Sequence, residues 1–393
     1  MRIAFFADHF YPELSGISDS IILVGKELSR RGHSVEYFVP SHPKKHYDIS
    51  GVPLQELNLG PNIKIHRGAS FPYKAPSMQG RALIPNILRG IFSQSKFDII
   101  HSHSFFGAGL DALCFSKIKG VPLVGTNDTL IEAFIKYGFA ENQRVKNFIA
   151  TYIAWYYNAC DFVTTPSQFL LNDMKEKGLK APATAVSNPI ENEFFNKRAA
   201  KDVLKKELGF LKYTVLYAGR ISSEKNVETL LEAFIAFAKN VSDTNLVIVG
   251  HGSSRAMLED RARKSSASSQ IKIVGPFLGD NKHKLYDIFH ASDVFVMPSV
   301  SETQSMVTLQ AMAGSMPVLV ARAGSLPELV DSGQGFIFEP KDFNELSLLI
   351  ARLYENPALR EEKGLRANVF AKSFSQEEIV QQWEKIYLSL IKL

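Results

Sequence analysis

At 393 residues the chain is too long for one ordinary core, and two domains of about 150–200 residues each are expected. A hydrophobic share of 45% and a charged share of 22% are those of a soluble globular protein. The net charge of +5 is mild: it fits ordinary surface variation, or attraction to anionic lipid or phosphorylated substrates, and no zinc-finger, helix-turn-helix or aromatic-basic signature points to nucleic acid.

The chain opens with a short apolar strand at 3–7 ended by Asp8, which is not the pattern of a signal peptide. No run of about 18 apolar residues exists, so no membrane-spanning segment is expected. Cys114 and Cys160 lie in apolar settings without metal spacing and read as buried free thiols of a reducing cytosol. A helical stripe (Ile21, Ile22, Val24, Leu28) predicts a helix over 18–30, followed by a strand at 34–39. Strands follow at 97–102, 121–125, 161–165 and 183–187, with helices at 107–119, 140–158 and 167–177. Alternation at this pace predicts a doubly wound parallel sheet. The polar, irregular stretch 188–198 reads as an interdomain linker. Strands then restart at 214–217, 245–249, 271–274 and 293–297, with helices at 226–239, 254–264 and 280–289. The last helix, 375–391, carries Ile379, Trp383, Ile386, Tyr387 and Leu390 on one face, and spacing does not name its partner.

Several connections hold groups with chemistry. In the first half, Gly16 sits between the first strand and helix and permits close approach of a ligand to backbone, or simply joins the two elements. His101 and His103 alternate onto one face of a strand end. No third ligand is spaced nearby for a metal, and packing and substrate contact remain equal readings. Asp128 and Thr129 precede a stretch that looks like a helix start, so Asp128 reads as a cap. Residues 81–92 are basic and apolar; Pro85 interrupts them, which favours a packed helix over a lipid-contacting one.

In the second half, Gly219 allows a tight turn before Arg220 and Lys225 at a helix start. Arginine grips a diphosphate with two parallel hydrogen bonds, lysine adds a compact charge, and helix starts favour anions. A solvated basic turn would look the same. Gly250-His251-Gly252 follows the next strand and would bring backbone close to a ligand, although such turns are common. Between strands at 293–298 and 316–320 lies a polar loop with one carboxylate, Glu302, then Ser305, Met306 and a small-residue helix carrying Gln310. In open α/β sheets ligands bind where such loops leave the carboxyl ends of strands. The turn Gly324-Ser325-Leu326-Pro327-Glu328 closes the series.

Together, in this order and spacing, these segments resemble the retaining glycosyltransferases of family 4 over nearly the whole chain. Arg220 and Lys225 match the family's diphosphate clamp. Glu302 matches the first Glu of its Glu-seven residues-Glu pattern, while Gln310 stands at the second. Asp128 stands where the family has a His followed by Thr, and Ser325 replaces the second Gly of the Pro-Glu turn.

The resemblance implies an α/β, GT-B fold: two Rossmann-like domains with parallel sheets facing across a cleft. Residues 1–190 would bind the acceptor, 191–373 the nucleotide sugar, and 374–393 would form a helix crossing back to the first domain. It implies a hexosyltransferase that moves a hexose from a UDP- or GDP-linked sugar to a hydroxyl of a lipid or glycan acceptor, with retention and without cofactor or metal. Its place would be the cytoplasm or the inner face of the cytoplasmic membrane, in contact with anionic lipid. Arg220 and Lys225 would stabilise the leaving diphosphate, Glu302 would orient the sugar, and Asp128 would lie close to it. Gly219, Gly250, Gly252, Ser305, Met306 and Gln310 would bind the donor; Gly16, His103 and Thr129 fall on the acceptor side. A neutral Gln310 costs about 1–2 kcal/mol of donor binding relative to Glu, and Asp128 cannot donate as His does. These two departures motivate an alternative: a weakened or inactive member that binds a ligand or partner.

Overall fold

The computed structural model describes residues 1–13, 15–73, 79–86, 95–130, 143–196, 198–277 and 279–391. The chain divides into two compact units, Met1–Pro189 with Gln376–Leu393, and Ile190–Ser375.

The first unit runs β1 (Arg2–Phe6), α1 (Gly16–Arg30), β2 (Ser34–Pro40), α2 (Lys44–Ser50), β3 (Ile63–Gly68), β4 (Ser70–Pro72), β5 (Arg81–Leu83), β6 (Ile99–Ser102), α3 (Gly107–Lys119), β7 (Leu123–Thr126), α4 (Gln143–Asn158), β8 (Phe162–Thr165), α5 (Gln168–Glu176) and β9 (Ala183–Ala185). Seven strands pair in parallel in the order β3-β2-β1-β6-β7-β8-β9. The central strands are largely apolar because helices cover both faces. Ile3 to Phe6, Ile99 and Ile100 are fully buried. Asp8, the acid that ends β1, is a buried tie. Its carboxylate accepts from Leu83 N (2.8 Å), Ala108 N (3.0 Å) and the Ser104 hydroxyl, joining β1 to β5 and to the start of α3. Burial raises its pKa despite these donors.

The helix expected over 81–92 is not what its first residues form. Arg81–Leu83 is a strand, paired antiparallel with β4. Arg81 donates through Nε to Ser70 Oγ (2.7 Å), and Ala82 and Leu83 are buried. Residues 87–92 of that segment lie outside the described residues, as do 140–142 of the helix expected at 140–158 and 131–132 of the helix start expected after Asp128.

The second unit holds α6 (Lys201–Leu208), β10 (Tyr213–Ala218), α7 (Val227–Ala238), β11 (Thr244–Val249), α8 (Arg255–Lys264), β12 (Ile271–Val274), α9 (Lys282–Ala291), β13 (Val294–Met297), α10 (Met306–Ala313), β14 (Val318–Ala321), β15 (Gly335–Phe338), α11 (Phe343–Glu355) and α12 (Pro357–Ala371). Its six strands are parallel, in the order β12-β11-β10-β13-β14-β15. Every residue of β10, β11 and β13 is buried. A fully buried Val or Leu contributes roughly 1.5–3 kcal/mol.

The last helix, α13 (Gln376–Ile391), belongs to the first unit. Its buried face, Ile379, Val380, Trp383 and Tyr387, joins the cluster of Ile3, Phe5, Ile21, Val24 and Leu28. Glu384 clasps Arg31 (2.8 Å) and His33 (2.7 Å), and the Arg31 contact holds its carboxyl below the usual range.

Candidate active site

In the second unit the strand order reverses between β10 and β13: β11 and β12 extend to one side, β13 to β15 to the other. Loops leaving the carboxyl ends of these two neighbours therefore lie side by side, the usual ligand position in an open α/β sheet. After β10, the Tyr217 hydroxyl donates to the Arg220 carbonyl (2.6 Å), and Ser223–Lys225 forms one tight turn. Asn226 follows in the left-handed region (φ 50°) and donates from Nδ2 to the Pro298 carbonyl (3.2 Å). The loop after β13 answers: Val300 N and Ser299 Oγ both donate to the Glu224 carbonyl, at 3.0 and 3.3 Å.

This stitching brings Lys225 Nζ to 2.6 Å from Glu302 Oε1, with the side chains only 14% and 8% exposed. A third element props the same point. Ser325 N donates to the Glu302 carbonyl (3.0 Å), and a Cβ on Gly324 (φ 55°) would fall 2.3 Å from that oxygen. The Gly-Ser pair of the Pro-Glu turn thus supports the backbone of Glu302. Ser325 Oγ is buried with no hydrogen-bond partner among the described residues.

Arg220 is the exposed member of the cluster: its side chain is 48% exposed, 3.4 Å from Glu224 Oε1. Burial would raise the Glu224 pKa, but the Ser222 hydroxyl, Arg220 and Lys225 together hold it below the usual carboxylate range. Ser305 caps α10 from a buried position, its hydroxyl 2.7 Å from Thr308 Oγ1. Met306 opens that helix, and Gln310 stands one turn on, half-buried.

The glycines after β11 pack against the loop that follows β10. A Cβ on Gly250 would lie 1.9 Å from the Gly219 carbonyl oxygen, and one on Gly252 would lie 2.2 Å from that of Ile221. Ile221 N also donates to the His251 carbonyl (2.9 Å). These positions need glycine because one loop packs on another. Sequence cannot tell which side a missing Cβ would face.

In the first unit the order reverses between β1 and β6. His101 proves to be a packing residue: Nδ1 lies 2.7 Å from Tyr387 Oη, Nε2 lies 2.7 Å from Thr126 Oγ1, and its ring meets Trp383. Burial, with His103 adding, pulls its pKa well below the usual imidazole value. His103 differs. Its Nδ1 is 3.5 Å from Asp128 Oδ2, and its buried Nε2 has no partner among the described residues. Thr129 N donates to Asn127 Oδ1 (3.2 Å), and Gly16 is the first residue of α1 behind the Ser15 cap.

His9 escaped the sequence reading. Its Nδ1 is 3.0 Å from Glu13 Oε2 and its Nε2 is 3.3 Å from Tyr73 Oη. Burial is the largest single influence and lowers its pKa, yet Glu13, Asp8 and Asp128 together outweigh it, and the pKa is pushed up to about 9. The available signal was an acid four residues on. Among the described residues no three His, Cys, Asp or Glu side chains are grouped to hold a metal ion, and no helix is long and apolar enough to cross a membrane.

The sequence model of Glycosyl transferases group 1 matches residues 201–368, and that of Glycosyltransferase Family 4 matches residues 14–194. The chain is 25% identical to an alpha-monoglucosyldiacylglycerol synthase of Acholeplasma laidlawii, across 100% of this chain and 98% of that protein. Among solved structures it is similar to sucrose-phosphate synthase from Thermosynechococcus elongatus (TM-score 0.80, 18% identity, 100% and 99% of the two chains). It is also similar to HepE of Anabaena in complex with UDP (TM-score 0.77, 18% identity, 99% and 100%). These likenesses establish the GT-B fold.

Proposed function

This chain belongs to the family 4 glycosyltransferases, with the group 1 domain in its second half, and we propose that it moves a hexose from a UDP- or GDP-linked donor to a hydroxyl of a lipid or glycan acceptor, with retention at the anomeric carbon. The observation that carries this reading is the Lys225–Glu302 pair, held at the reversal point of the second sheet beside the exposed Arg220. The full-length relative named for making a glucosyldiacylglycerol favours a lipid among the acceptors.

In this reading the bond from the anomeric carbon to the diphosphate breaks as the acceptor oxygen bonds on the same face. The acceptor's proton passes to the departing phosphate oxygen. Arg220 and Lys225 stabilise the charge that develops on the diphosphate, which is the work a metal ion does elsewhere. When the diphosphate draws Lys225, Glu302 is released to accept from sugar hydroxyls. Asp128 is assigned to the transferred sugar, where its carboxylate accepts and offsets positive charge at the anomeric carbon. Gly219, Gly250, Gly252, Ser305, Met306 and Gln310 are assigned to the donor, and Gly16, His103 and Thr129 to the acceptor side. No cofactor is assigned.

A binding-only protein would have little physical reason to keep a buried ion pair beside an exposed arginine. The test is nucleotide release from UDP-, GDP- and ADP-sugars, with and without extracted membrane lipid and with chelator present throughout, against an Arg220→Ala control. Release by the parent alone names the donor, and a rise with lipid names the acceptor class. No release from any donor by folded protein would refute the reading.

A further inference from the structure

We propose that the buried hydroxyl of Ser325 donates to an oxygen of the transferred hexose beside Glu302, making Ser325 a specificity-determining residue of the donor site. This deepens the transferase reading above and rests on it. Three serines are buried around the Glu302 loop: Ser299, Ser305 and Ser325. Two have their hydroxyls engaged within the protein. Ser299 Oγ donates to the Glu224 carbonyl (3.3 Å), and Ser305 Oγ lies 2.7 Å from Thr308 Oγ1. Ser325 is 1% exposed, and its Oγ has no partner among the described residues.

The backbone explains why the hydroxyl is left over. Ser325 stands at the N-terminal cap of the short turn Leu326–Leu329. A serine there ordinarily has extended backbone and accepts from the second or third N–H of the turn. Here φ is −80° and ψ is −5°, and no cap bond forms. The second position is Pro327, which has no N–H, and Glu328 N donates to the Ser325 carbonyl instead (3.2 Å). A buried polar group without a partner calls for a reason: strain, a bound molecule or a functional role. These angles are ordinary helical ones, so strain is not the reason.

Position and chemistry name the partner. Ser325 N donates to the Glu302 carbonyl (3.0 Å), and Gly324 packs so closely on that oxygen that a Cβ would fall 2.3 Å away. The hydroxyl is thus carried one hydrogen bond from the main chain of the residue assigned to the sugar. A carboxylate only accepts, so Glu302 serves the O–H groups of a hexose and leaves its oxygen lone pairs unserved. A serine hydroxyl supplies the missing donor. Where the resembled turn has its second Gly, this chain alone adds a side chain, so the contact belongs to the chain and not to the pattern.

Ser325→Ala keeps the backbone N–H and removes only the hydroxyl. The full-length parent and variant are titrated calorimetrically with UDP, GDP, UDP-glucose and GDP-mannose, without acceptor. The ratio of sugar-nucleotide to nucleotide affinity isolates the sugar's share of binding. That ratio should fall about threefold to tenfold in the variant, the size of one neutral hydrogen bond, while affinity for the bare nucleotide stays unchanged. The melting temperature without donor should hold or rise, because the variant removes a buried hydroxyl that has no partner in the free protein; a structural hydroxyl would make it fall. Monodeoxy analogues of the bound donor then name the sugar oxygen: its loss weakens binding to the parent and not to the variant. The proposal is overturned if the variant binds sugar nucleotide as tightly as the parent, if it loses nucleotide and sugar nucleotide equally, or if it melts lower without donor. A parent that binds none of the four ligands refutes the transferase reading and this contact with it, whereas a parent that binds them and a variant that matches it refute the contact alone.

Discussion

Consider Glu302→Gln and Lys225→Met, made singly and together. At 2.6 Å the pair attracts by about 6 kcal/mol for an effective dielectric near 20, before desolvation is subtracted. The charges are largely withdrawn from water, so either single change strands the other. A stranded buried charge typically costs 3–5 kcal/mol, and the slight exposure of Lys225 places the loss near 3. The double variant strands nothing and should lose about 1 kcal/mol, leaving a coupling of several kcal/mol in the cycle. Turnover should behave differently. If both groups stabilise charge at the donor, each variant and the double lose at least about a hundredfold. Calorimetry of the full chain gives stability, and nucleotide release gives turnover. A double variant that regains turnover along with stability would reduce the pair to a structural clasp. Single variants of parental stability and turnover would sink both halves of the reasoning.

Gly252→Ala places a Cβ 2.2 Å from the Ile221 carbonyl oxygen and 2.8 Å from its nitrogen. A loss of about 2 kcal/mol or more is expected, with weaker donor binding as the Arg220 loop shifts; an unchanged melting temperature would contradict it. His9→Gln tests the imidazolium held by Glu13. Because the folded pKa of about 9 lies above the unfolded 6.5, this group's stabilisation is full below pH 6.5 and is lost as pH rises through 9. Denaturation midpoints of the parent should therefore fall between pH 6.5 and 9 by an amount worth roughly 1–3 kcal/mol, and the variant's midpoints should fall less. Parallel pH profiles for the two proteins would refute the assignment.

Much of the fold was legible because its central strands hold continuous apolar runs, as at Val294–Met297 and Leu246–Val249, each followed by a helical stripe. Arg220, Lys225 and Glu302 were legible as residue types suited to phosphate and sugar. Their meeting was not, because Lys225 and Glu302 are 77 residues apart and become neighbours only through the order of the strands. The β4–β5 hairpin was hidden by its length: three-residue strands give periodicity nothing to work on. The partner of α13 was hidden from spacing for the opposite reason, since an amphipathic stripe names a face and not what covers it; the resemblance alone pointed to the first domain. Asn226 was missed although asparagine is one of the few side chains that tolerate the left-handed region its φ of 50° requires.

The placement of α13 sets an order of assembly on the ribosome. Ile190–Ser375 is a single uninterrupted stretch and holds every strand of its own sheet when it emerges. The unit that begins first must wait, because Val380, Trp383 and Tyr387 complete the cluster around β1 and α1, and the Tyr387 hydroxyl is the partner of His101. Of the two units, the one whose synthesis starts earlier is thus the one finished later. Until then, a nascent chain carries an unfilled apolar seam along α1.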